Sequence, residues 1–208
     1  MPAGRKRSFN TVAVLEQAIR VFWRLGFDGA SLTDLTDAMG INRPSLYAAF
    51  GSKNELFVEA LQRYWSFTCA FRRVAFEAET ALETTDLLLR EAADLMTAPG
   101  RPPGCLLIRA TFSCTQASET TRRAIFELHD EFATDLERRY RRAVITGELA
   151  QQCDTAALAA ATASQWAALA TRATLGATRE ELLHQISSFL GNWRPPQPAE
   201  ASIQSAAW

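Results

Sequence analysis

The chain has 208 residues, 48% of them hydrophobic, and a formal net charge of −1. That length suits one large domain or two small ones, and that composition supplies a buried core. A near-neutral total argues against a protein that coats nucleic acid along its whole surface.

The charge is unevenly spread. Residues 1–55 hold seven basic side chains against five acidic, and the remainder holds 15 against 18. A mildly basic head on an acidic body fits local contact with DNA. Arg5-Lys6-Arg7 resemble the start of an export signal, but Glu16, Arg20 and Arg24 interrupt the apolar stretch that should follow. The longest uncharged run of the second half, Thr155 to Thr171, is Ala- and Thr-rich and too weakly apolar to span a bilayer, so no membrane role is expected. Cys69, Cys105, Cys114 and Cys153 lack zinc-like spacing and read as free thiols of a reducing compartment, which places the chain in the cytoplasm.

Residues 1–9 are small, basic and aperiodic, and 194–208 open on Arg-Pro-Pro-Gln-Pro, so flexible tails are expected at both ends. Between them the apolar positions recur with helical period, and no strand-like alternation bounded by hairpin turns appears. A first helix starts at the N-cap Asn10 and runs to Leu25, with Leu15, Ala18, Phe22 and Leu25 on one stripe and Gly26 at its left-handed end. Ser31 with Asp34 three residues on forms a capping box that opens a short helix to Met39, which Gly40 breaks. Asn42 caps a third, Arg43 to about Phe50, with Pro44 tolerated in its first turn. Ser52 and Glu55 repeat the capping box and open a fourth. Longer helices follow over about 84–97, 105–117, 119–146, 154–175 and 178–193. About nine helices without a sheet make the expected fold class all-α. The implied division is a head over 10–55 and a body over 56–193.

Two short helices joined by a tight glycine-containing turn, behind a longer support, form a helix-turn-helix. The third helix must offer short polar or basic side chains to the major groove while its inner face, Leu46 and Phe50, holds it to the scaffold. Asn42, Arg43 and Ser45 stand at its amino end, where Arg43 is suited to a two-pronged bond with guanine. Asn42 has a purely structural reading as a cap, and Tyr47 one as a core tyrosine. Ser31, Tyr47 and Lys53 flank the groove and suit phosphates, which fix register without reading sequence.

From Ala18 to Leu61 the pattern F-x3-GF-x3-SLTDL-x3-MGINRPSLYAAFGSKNELF resembles the DNA-binding domain of the tetracycline repressor (TetR) family, above all in the run I-N-x3-LY-x2-F-x-SK-x2-L. The resemblance covers about the first 60 residues; the rest matches only in helix order and length. It implies a homodimeric repressor of a double-stranded, pseudo-palindromic operator, with a C-terminal domain that takes a small-molecule effector. By family position Thr33, Asn42, Arg43, Pro44, Ser45 and Tyr47 face DNA and Lys53 holds the backbone. Members often carry a larger or aromatic residue after the tyrosine. Ala48 and Ala49 stand there in this chain, so fewer base contacts are expected from that point.

For the effector, Trp65, Phe71, Phe112 and Trp166 are candidates for an apolar pocket between helices, with Arg109 for an anionic group and His129 on its edge. The plainer reading makes these aromatics and His129 ordinary core. For the dimer, Leu158, Trp166 and Leu169 of the penultimate helix and Leu182, Ile186, Phe189, Leu190 and Trp193 of the last form broad apolar stripes suited to a four-helix interface. The alternative is that both stripes bury against the chain's own body. No phosphate-binding, metalloprotease or serine-hydrolase motif is present, so neither an enzyme nor a cofactor is expected. A thiol-redox or metal-responsive regulator on the same scaffold is the second reading; Cys105 and Cys114, nine apart at about 3.6 residues per turn, would face opposite sides of one helix.

Overall fold

A computed structural model describes residues 10–191 and 193. The tails expected at 1–9 and 194–208, and the side chain of Cys69, lie outside the described residues. Among the described residues there are nine helices and no strand, so the fold is all-α. They are α1 (Thr11–Gly29), α2 (Leu32–Met39), α3 (Arg43–Phe50), α4 (Lys53–Phe76), α5 (Ala81–Thr97), α6 (Leu106–Phe112), α7 (Glu119–Ile145), α8 (Thr155–Thr174) and α9 (Arg179–Gly191).

The head is built by its caps. Asn10 Oδ1 accepts from the amides of Val12 and Ala13, and both expected capping boxes form, Ser31 with Asp34 and Ser52 with Glu55. Gly26, at φ 74°, interrupts α1, and the chain completes one further turn to Gly29. Phe22, Phe27 and Phe57 stack at the centre, with Phe22 and Phe57 edge to face at 4.7 Å, and lock α1 to α4. Leu35, Leu46 and Leu56 are fully buried around them.

In the body, α5 packs on α8 and α9, and α7 on α4 and α8. A polar line runs through this core: Tyr140 Oη hydrogen-bonds both Thr85 Oγ1 (2.8 Å) and Thr162 Oγ1 (2.9 Å), which satisfies a buried hydroxyl. Burial pushes the Tyr140 phenol up from its ordinary pKa, against the two threonines.

Three boundaries depart from the sequence reading, the first being that of α1, expected to end at Leu25 but running on to Gly29. The α5 helix starts at Ala81, capped by Thr80, whose hydroxyl accepts from the Glu83 amide, rather than at 84. The α6 helix ends at Phe112 rather than 117, because the following residues bond across to α1: Ser113 O accepts from the Asp28 amide at 3.0 Å, and the Thr115 and Gln116 amides donate to the Asp28 carboxylate. Cys105 is therefore the residue before α6 and Cys114 lies beyond its end, so the two never share a helix.

Candidate nucleic-acid interface

The α3 helix rises from the head with Leu46 and Phe50 inward and with Asn42, Arg43, Pro44 and Tyr47 exposed; Ser45 is half-buried. Tyr47 is 49% exposed, which discards its reading as a core tyrosine. Asn42 is a genuine cap: its Oδ1 accepts from the Ser45 amide at 2.9 Å. Arg43 reaches back across the turn, its Nη2 donating to Thr33 Oγ1 at 3.0 Å, so the two residues expected at one groove stand together. Ser31 is exposed, but its hydroxyl exchanges hydrogen bonds with Asp34 and is committed to the cap of α2.

Lys53, the first residue of α4, is half-buried with its Nζ over the Phe27 ring at 4.4 Å. Burial holds its ammonium below the ordinary lysine pKa, against the opposing pull of Asp28. Asp28 is the hub of this corner. Burial alone would raise its carboxyl pKa, but hydrogen bonds from the Thr115 hydroxyl and from the Gln116 and Thr115 amides, with the Lys53 charge, hold it below the ordinary value. At the second residue of α4, Asn54 Oδ1 accepts from the Ser118 amide and the Thr121 hydroxyl, both at 2.8 Å. Asp28 and Asn54 thus latch the head to the 113–121 segment. Their partners lie more than 60 positions along the chain, and no local spacing announces them.

The effector candidates separate into three places. Trp65, Phe71 and Trp166 join Phe132 in one aromatic stack, with Phe132 and Trp166 at 5.0 Å and Arg72 over the Trp65 ring at 3.5 Å. The Trp65 indole N–H donates to Glu131 Oε1 at 2.9 Å. These rings pack against one another. His129 hydrogen-bonds Thr111 Oγ1 at 2.8 Å, and burial lowers its pKa. Phe112, expected inward, is 78% exposed on the rim of an open groove of about 330 Å³ that Arg109 and Cys105 also line.

The dimer candidates need correction. Leu158, Trp166, Leu169, Leu182 and Ile186 are 0–4% exposed within the single chain, so they face its own α5 and α7 and offer no surface to a second copy. Phe189, Leu190 and Trp193 are half-buried, with Trp193 edge-on to Tyr140. Helical period identifies an apolar face without saying what covers it.

Of the thiols, burial pushes Cys114 up to about 12, with Asp28 raising it further against Lys53, so it is a neutral thiol at neutral pH. Burial likewise raises Cys153. Cys105 is buried and receives the Tyr64 hydroxyl at 3.3 Å. No helix among the described residues is long and apolar enough to cross a membrane.

Comparison with known proteins agrees along the chain. Residues 14–60 match the model for bacterial regulatory proteins of the tetR family, and residues 81–189 match the tetracyclin repressor-like C-terminal domain. The TetR family transcriptional regulator CifR, known as a cysteine mutant complexed with 26-bp double-strand operator DNA, is 38% identical; the match covers 91% of this chain and all of that one, with a TM-score of 0.86. The HTH-type transcriptional repressor ComR of Escherichia coli is 27% identical over 192 residues, 91% of each chain. Regulatory protein TetR of Rhodobacter sphaeroides, 21% identical, shares the fold at a TM-score of 0.77 over 88% of this chain and 98% of that one.

Proposed function

The chain belongs to the tetR family of bacterial regulatory proteins and is a DNA-binding transcriptional regulator, and from that premise we propose that it is a cytoplasmic, homodimeric repressor which leaves a pseudo-palindromic operator when a small-molecule effector binds. Binding rather than catalysis is its whole activity.

One observation carries the reading: an exposed amino end of α3, with Asn42, Arg43, Pro44 and Tyr47 outward, on a buried base of Leu46 and Phe50. That is the shape a major groove admits. Arg43 reads a base once it exchanges Thr33 for DNA, with Ser45 beside it. Tyr47 and Lys53 hold phosphates. The division at residue 55 supports the mechanism. It falls in the first turn of the continuous α4, so a displacement of α4 by ligand in the body carries straight to the head. Two heads read half-sites at a fixed spacing, and a few ångströms of misfit detaches one of them.

Selection of genomic fragments by the full chain, followed by footprinting, tests this. The expected result is a two-fold-symmetric site whose half-sites lie about one helical turn, or a multiple, apart. Protection of asymmetric sites by a single chain would overturn it.

A further inference from the structure

Two open cavities meet along α1 and share Arg20, Trp23 and Pro102. The larger, about 460 Å³, lies between Arg20, Trp23 and Arg24 of α1, the Pro102-Pro103 turn, and Arg109 of α6. It is far roomier than one water, which occupies about 30 Å³. Three guanidinium groups line it, and no carboxylate does. Arg20 and Arg24 stand four apart on one helix, where like charges repel unless something anionic lies between them.

Two of the lining side chains each carry a buried polar atom without a partner among the described residues. The Arg109 Nε and the Trp23 Nε1 are buried without a hydrogen-bond partner among the described residues, and Trp23 is only 4% exposed. Arg20 uses one N–H on the Gly100 carbonyl at 2.9 Å, which fixes its side chain against the turn. Buried N–H groups without acceptors are costly and uncommon in native proteins. Between the guanidinium groups the wall is apolar at the Trp23 ring and the two prolines.

We propose that this junction binds a small organic carboxylate with an apolar body. The carboxylate accepts from the guanidinium groups of Arg109 and Arg24, and the body lies on Trp23, Pro102 and Pro103. Arg20 and Arg24 belong to the head and Arg109 to the body, so an occupant touches both. The consequence for operator affinity, equal and reciprocal to the effect of DNA on the carboxylate, rests on the repressor reading above; the binding itself does not.

Calorimetry on the full chain, with phenylacetate against its uncharged amide and against inorganic phosphate at matched ionic strength, decides it. Phenylacetate should saturate one site per chain, and the amide should bind about tenfold more weakly or not at all, as expected for loss of a charge-assisted bond. Arg109→Gln should lose about tenfold or more, and so should Arg24→Gln, an exposed position whose change leaves the core intact. Arg138→Gln, exposed on α7 and outside the lining of both cavities, should change nothing. Absence of saturable phenylacetate binding, equal binding of the amide, or phosphate binding as tightly as phenylacetate would each overturn the proposal. So would an Arg24→Gln variant that flattens the salt dependence of DNA binding while phenylacetate affinity stays put, which would make Arg24 a DNA-phosphate contact. Operator binding measured without added anion reports separately on the repressor reading.

Discussion

Arg43 is the residue on which specificity should turn. Its guanidinium is already held on the exposed face of the head by Thr33 Oγ1, 3.0 Å away, so little rotamer freedom remains to be lost on DNA. Arg43→Ala should cost about 1–3 kcal/mol on the operator and relax preference at one base pair per half-site. Equal loss on operator and random DNA, by fluorescence anisotropy, would make it a phosphate contact. Lys53→Ala should weaken all sequences alike and flatten the log–log salt slope by about one; an unchanged slope removes Lys53 from the DNA surface and leaves it as a lid on Phe27. The juxtaposition of Arg43 with Thr33 was legible because α2, the turn and α3 form one local stretch whose spacing is the message. Asp28 was not, since it acts on Thr115 and Gln116, 87 and 88 positions away. Its depressed carboxyl pKa makes the latch present above the ordinary value of 3.8, with loss as pH falls through the lower folded value. Asp28→Asn should therefore lower the melting temperature at pH 7 and narrow its gap to the wild type in acid. A gap independent of pH would show that charge plays no part in the latch.

At the level of elements, the caps and breaks of the head follow from short-range signals, and α1 to α4 start where their capping residues stand. The failures differ in cause: α5 starts early on a local cap, Thr80 with Glu83, whereas α6 is cut short from a distance. The α6 helix stops early because Asp28 offers its following amides a better partner than another helical turn, and helical propensity could not foresee that competition. Gly26 is the other half of the joint. It adopts φ 74°, and a Cβ there would sit 2.5 Å from Ser113 Oγ and 2.6 Å from Ser113 Cβ. Gly26→Ala must both strain the backbone and push the 113–118 turn away from α1, at about 1–3 kcal/mol. Hydrogen exchange should show the Thr115 and Gln116 amides unprotected while those of α8 stay slow. Protection unchanged throughout would mean that the joint yields without opening.

For the whole molecule, the dimer is where helical period misled, since five of the residues expected at the interface are buried in the chain's own core. An apolar stripe satisfies a self-made core and a partner equally well, and only packing tells them apart. With Leu158, Trp166, Leu169, Leu182 and Ile186 inside the chain, Ile186→Glu should abolish folding rather than dissociate a dimer. The outward face of α8 instead carries Ala160, Ser164, Ala168 and Thr171, continued by Leu175 just past its end, spaced three or four apart, and Leu175 is 81% exposed. Small side chains there let a second α8 approach closely about a two-fold axis, and in such an isologous contact each substitution meets its own copy. Ser164→Arg would then bring two like charges together in a desolvated seam, at a cost of several kcal/mol, while facing only solvent in the separated chain. Sedimentation should show that variant monomeric at micromolar concentration, where the wild type is dimeric, with circular dichroism and melting temperature unchanged. It should keep half-site contacts yet lose most of its affinity for the palindrome, because two heads no longer arrive as one ligand. A variant that remained dimeric would place the axis on another face of α8 or on α9.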